Sequence, residues 1–126
     1  SIQPHGFLLA VHPGTWTVLG ASENLGELLG VEARRALGRP VTDVFEPALV
    51  RALRSSAANP VFAQRPLFVA HLRVDAGGVR TFALVGHAHQ GVIIVEGELL
   101  DNDAATPRAN AHNLETAVCV DRTFQD

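Results

Sequence analysis

The chain has one cysteine, no lysine, no methionine and no tyrosine among its 126 residues, and only 18% of its residues are charged. A single Cys119 excludes an internal disulfide and a cysteine zinc site, and it fits a reducing compartment. With lysine absent, all ten basic residues are arginine, and the formal net charge is −3. That balance gives no electrostatic basis for holding a nucleic-acid backbone or an anionic membrane. No apolar run has the length to span a bilayer, and no basic-then-apolar start resembles a secretion signal, so a cytoplasmic location is expected. Gly-x-Ser-x-Gly, a Walker loop and His-Glu-x-x-His are all missing, which leaves no catalytic motif and points away from an enzyme.

What is present is an ordinary folding composition, 47% hydrophobic, in a length suited to one domain with a core. Residues 1–100 are expected to fold as that domain. Residues 101–126, where Asp, Asn, Ala, Pro and Arg replace large apolar groups, read as a linker or connector to a following domain. Residues 114–124 regain some apolar character and can form a last strand, a short helix or the start of the connector. The chain opens without an initiator Met on a constrained turn, Gln3-Pro4-His5-Gly6, which suggests a piece of a longer protein.

Residues 7–11 form an apolar run that ends at His12-Pro13-Gly14-Thr15, a tight-turn sequence. A second strand follows over residues 16–21. Ser22-Glu23-Asn24 offers helix-capping side chains ahead of Leu25, Leu28 and Leu29, whose spacing lays them on one helical face. Further short helical turns over 32–37 and 41–45 are closed by Gly38-Arg39-Pro40 and Glu46-Pro47. Pro47 suits the first position of a longer helix over 47–58, with Leu49, Val50 and Leu53 as its apolar stripe. Three strand-like runs then follow at 66–75, 79–89 and 91–98, the first two joined by the turn signal Ala76-Gly77-Gly78. In the first run Phe68, Ala70, Leu72 and Val74 alternate with Val69, His71, Arg73 and Asp75. In the last, residues 92–95 are apolar on both faces and call for a second cover. Two strands, a group of short helices, one longer helix and three strands make an α+β layout, a five-stranded antiparallel sheet with short helices on one face.

This order, with Ile2-Gln3-Pro4-His5-Gly6 before Phe7-Leu8-Leu9, resembles the N-terminal PAS domain of phytochromes and bacteriophytochromes. Ala21-Ser22-Glu23-Asn24, Leu28-Leu29-Gly30, Leu37-Gly38-Arg39-Pro40 and His87-Ala88-His89-Gln90-Gly91 before Ile93-Ile94-Val95-Glu96 carry the resemblance over roughly residues 1–98. It implies a sensory, non-catalytic PAS fold followed in the parent chain by a GAF domain that holds a bilin such as biliverdin, with a histidine kinase or other output module beyond. It also implies that the bilin-attaching Cys lies upstream of the pentapeptide and that Ile2 threads a GAF loop in a figure-of-eight knot. Neither the thread nor the lasso is within residues 1–126, so this chain alone is expected to bind no bilin. Cys119 is at the wrong end of the domain for the attachment role.

Among candidate residues, His5 reads mainly as a lock on its own turn. His87 and His89, two apart on a strand, project from one face. With His71 as a third ligand they can begin a metal site, but the four ligands of a closed zinc site are not supplied; no metal is expected, and the pair reads as a polar sheet face or an interdomain contact. Asp101-Asn102-Asp103 lacks the Gly and distal Glu of a calcium loop, and the arginines from Arg34 to Arg54 read as a solvated mixed face. Val69, Val85, Ile93 and Val95 are the expected apolar outer face of the sheet, a contact for a neighbouring domain or a homodimer mate. The alternative is a ligand-sensing PAS domain holding haem, flavin or a small metabolite between the sheet and helix 47–58, with His71 as the candidate axial ligand.

Overall fold

The computed structural model describes residues 6–75 and 78–100 in full and residues 118–120 by their backbone pairing. Five strands form the expected antiparallel sheet: β1 (Gly6–Val11), β2 (Val18–Ser22), β3 (Leu67–Asp75), β4 (Val79–His89) and β5 (Val92–Leu100). Between β2 and β3 lie α1 (Leu25–Leu29), α2 (Ala33–Ala36), α3 (Pro47–Ala57) and two 3-10 turns, Val41–Asp43 and Pro60–Ala63. A short strand β6 (Val118–Val120) joins the free side of β2, giving the order β3-β4-β5-β1-β2-β6. Cys119 is the central residue of β6, opposite Ala21.

The sheet turns its inner face to the helices. Phe7, Leu9 and Val11 of β1, Phe82 and Leu84 of β4, and Ile93 and Val95 of β5 are buried there against Leu49, Val50 and Leu53 of α3. Each such side chain contributes about 2 kcal/mol relative to leaving it in water. Pro47 occupies the first turn of α3, where its missing N–H costs nothing, and Arg51 and Arg54 face out as the apolar spacing requires. Four phenylalanines fill the centre: Phe7, Phe45, Phe62 and Phe82. Phe7 meets Phe82 edge-on at 5.3 Å between ring centroids. Two glycines make this packing fit. A Cβ on Gly97 would collide with the Phe7 ring, and one on Gly86 would press on the ring of Phe62.

The start of β2 and the register of β3 differ from the sequence expectation. Trp16 does not start β2; its φ of 57° closes the hairpin, with its N–H donating to the His12 carbonyl at 2.8 Å. Left-handed backbone is unfavourable for so bulky a residue. Here the turn is supported by His12, whose Nδ1 accepts from the N–H groups of Gly14 and Thr15. The Arg54 guanidinium lies 4.9 Å over the Trp16 ring. In β3 the pairing shifts between Phe68 and Ala70. Val69 is therefore a bulge, and Phe68 leaves the face it was expected to share with Ala70, Leu72 and Val74 and joins the outer one.

Candidate functional site

Gly6, the last residue of the opening pentapeptide, is held by a polar latch. Asn24 Nδ2 donates to the Gly6 carbonyl at 2.7 Å. Ser22 Oγ donates to Asn24 Oδ1 at 2.8 Å and accepts from the Leu8 N–H at 3.0 Å. Ser22 and Asn24 are both buried. The sequence marks them as caps for α1, and Asn24 does stand at the N-cap position, but its side chain makes no cap bond. The fold uses it to fix β1. A buried amide is worth more bridging two chain segments than closing a five-residue helix whose packing already holds it. Residues 1–5, including Ile2, Gln3, Pro4 and His5, lie outside the described residues, so the latch marks where the pentapeptide enters the sheet.

The Leu37-Gly38-Arg39-Pro40 segment is tied to the same hairpin. Gly38 N–H donates to the Val18 carbonyl, Val18 N–H to the Arg39 carbonyl and Val41 N–H to the Trp16 carbonyl, each at 2.8–2.9 Å. The Arg39 side chain pairs with Asp43 at 2.8 Å on an exposed surface, a contact worth little by itself. The remaining arginines of this cap, Arg34, Arg35, Arg51 and Arg54, are exposed, in keeping with a solvated face.

The outer face of the sheet is built from the alternate positions of each strand. On β4 these are Thr81, Ala83, Val85, His87 and His89, paired in order with Leu100, Glu98, Glu96, Ile94 and Val92 of β5. β1 adds Leu8 and Ala10, and β3 adds Phe68 opposite Val85 and His71 opposite Ala83. Phe68 is 56% exposed, Val79 55% and Leu100 44%. These are the large apolar residues that the domain leaves uncovered among its described residues.

Of the four residues expected on this face, Val85 is there. Ile93 and Val95 are not: they are 4% and 0% exposed and belong to the core. Since residues 92–95 are apolar throughout, alternation alone could not orient them. Register with β1 and the room that Gly97 leaves for Phe7 turn the odd-numbered positions inward. The outward pair is Val92 and Ile94. Val69 leans against the core from its bulge. Gly97 was the available signal, because a glycine inside a strand marks a close approach from its own face.

His71 is exposed on the outer face, edge-on to Phe68 at 5.0 Å. The sheet separates it from α3, so it cannot serve as the axial ligand of a haem held between sheet and helix. His87 and His89 do project together, with ring centroids 6.3 Å apart and an interplanar angle of 62°. Burial, and then the neighbouring His89, push the His87 pKa below the ordinary histidine value. His71 is not part of this pair. No cluster of three or more His, Cys, Asp or Glu side chains is placed to hold a metal ion among the described residues. No helix among them is long and apolar enough to cross a membrane.

A family model described as PAS fold matches residues 1–99. Among curated proteins, a phytochrome of Mougeotia scalaris is 25% identical over 114 residues, covering 82% of this chain and 10% of its own length. Among solved structures, the chromophore-binding domain of the Stigmatella aurantiaca bacteriophytochrome in the Pr state superposes with a TM-score of 0.64. It is 31% identical, over 85% of this chain and 35% of that one. A longer PAS-GAF-PHY structure of the phytochrome from the same organism is 36% identical with a TM-score of 0.64, over 86% of this chain and 21% of that one. The chromophore-binding domain of an unusual bacteriophytochrome from R. palustris gives a TM-score of 0.63 at 25% identity, over 81% and 33%. The chain thus spans a tenth of the curated relative and about a fifth to a third of these solved chains.

Proposed function

Because the chain belongs to the PAS-fold family, as the N-terminal PAS domain of a phytochrome-like protein, we propose that it is a non-catalytic signalling module of a photoreceptor. In this reading it holds the entry of the pentapeptide rigidly through the Ser22–Asn24 latch and presents its outer sheet face to a neighbouring domain. A downstream GAF domain is the partner proposed for the parent chain. The observation that carries the reading is the exposed apolar surface of Phe68 and Leu100, with the half-buried Val85 and Ile94 beside them, on a sheet whose other face packs against the helices. Such a surface is stable in water when a partner covers it.

The bilin belongs to the parent protein in this proposal, held by residues outside residues 1–126. The space between sheet and α3 is occupied by Phe45, Leu53, Phe62 and Phe82, and a haem or flavin bound there would have to displace several of them. With His71 on the opposite face, nothing favours the ligand-sensing alternative.

The test is to express the whole gene product that carries this domain with a supply of biliverdin. A red-absorbing band that shifts reversibly on illumination is expected. A soluble, folded product with no visible band overturns the photoreceptor reading.

A further inference from the structure

We propose that His87 and His89 form a two-imidazole chelate, on the outer face of the sheet, for an exchangeable divalent transition-metal ion. Both side chains leave β4 on the same side, because residues two apart in a strand share a face. Their rings are 6.3 Å apart between centroids. Two imidazoles sharing one tetrahedral ion through bonds of about 2.1 Å would have centroids about 5.3 Å apart, so closing on an ion needs a movement of about 1 Å. Side-chain rotation supplies that without disturbing the strand.

The surroundings suit the purpose. Opposite His87 and His89 stand Ile94 and Val92, which compete for neither ring. β3 starts at Leu67, opposite Gly86, so its ladder does not reach the level of the two histidines. Among the described residues neither imidazole has a hydrogen bond or an ion pair. Two unsatisfied rings side by side repel when both are protonated and gain when an ion bridges them.

Among the described residues no third protein ligand stands with them, so water or a group from another molecule fills the remaining positions. That makes the site open and exchangeable, unlike a closed structural zinc site. Imidazole ligands select the later first-row ions, and Cu2+ should bind tightest, followed by Ni2+ and Zn2+, with Mg2+ and Ca2+ excluded. A closed zinc site needs four ligands, whereas a two-point chelate needs only the pair.

The experiment is a Cu2+ titration of the full 126-residue chain by calorimetry and electron paramagnetic resonance, beside His87→Gln, His89→Gln, His12→Gln and His71→Gln. Circular dichroism checks that each variant folds. The expected result is a strongest site whose affinity falls about tenfold or more in H87Q and in H89Q, with loss of the two-nitrogen coupling pattern, and is unchanged in H12Q and H71Q. One ion per two chains, lost in the same variants, also supports the chelate and identifies a second copy as the source of the other ligands. Unchanged affinity in H87Q and H89Q overturns it. The outcome is independent of whether the parent protein senses light.

Discussion

Asn24 Nδ2 lies 2.7 Å from the Gly6 carbonyl oxygen, bridging the start of α1 to the first residue of β1. The bond is buried, and removing the amide takes away both this donor and the acceptor of the Ser22 hydroxyl. Asn24→Ala is therefore expected to cost about 2 kcal/mol, because Ser22 and Gly6 each lose a buried hydrogen bond. Urea denaturation measures the loss, and hydrogen exchange at Leu8 locates it. A cost near zero would show that water replaces the amide and that the latch holds nothing.

Ile93 and Ile94 are neighbours in sequence with opposite fates, one in the core and one on the outer face. Ile93→Ala should destabilise by about 2–4 kcal/mol, through lost burial and the cavity left behind, whereas Ile94→Ala should cost less than about 1 kcal/mol in the isolated domain. Thermal denaturation of the two variants settles the orientation. In the parent protein the ranking for domain contact reverses: Ile94→Glu or Phe68→Glu should weaken packing against the neighbouring domain while leaving this fold intact. Equal losses for Ile93→Ala and Ile94→Ala would mean that β5 is oriented otherwise.

Gly97 is required by the ring of Phe7 rather than by its backbone. Gly97→Ala forces a fully buried aromatic to move and should cost about 1–3 kcal/mol. Adding Phe7→Leu should recover part of that loss, since the two changes share one space and do not add. Full additivity in a double-mutant cycle would show that the two positions do not meet.

His87 has a lowered pKa, mainly from burial and secondarily from His89. The unfolded chain then binds a proton at His87 more readily than the folded one. Stability from this group is complete above about pH 6.5, the unfolded value, and falls as pH drops from there to the lower folded value. His87→Gln should flatten that part of the stability–pH curve, read from denaturation midpoints between pH 7.5 and pH 5. An identical curve for the variant would assign the dependence elsewhere.

Most of the fold is legible in the residues. Pro47 with Leu49, Val50 and Leu53 announces α3, and the glycine-closed helical turns and the strand runs appear where the patterns put them. The failures share a cause. Residues 92–95 are apolar on both sides, so no alternation orients them, and only register with β1 decides. The bulge at Val69 shifts Phe68 by one position, and nothing within the strand's own pattern announces it. Asn24 was legible as a polar residue near a helix start, but its partner is eighteen positions earlier in the chain. Local sequence cannot disclose a bond of that kind. For the candidate site, same-face placement of His87 and His89 follows from spacing alone. Exclusion of His71 from their company, and from the interior, needed the sheet.

The bulge at Val69 also bears on how copies of this protein avoid one another. β3 ends the sheet on its side, and nine residues of paired backbone would otherwise offer an open template to any passing strand. With one extra residue breaking the ladder between Phe68 and Ala70, an incoming strand cannot pair along the whole edge without a matching irregularity, and the local twist carries the margin away from it. The residue that spoils the alternation thereby makes this edge a poor template for fibrillar growth.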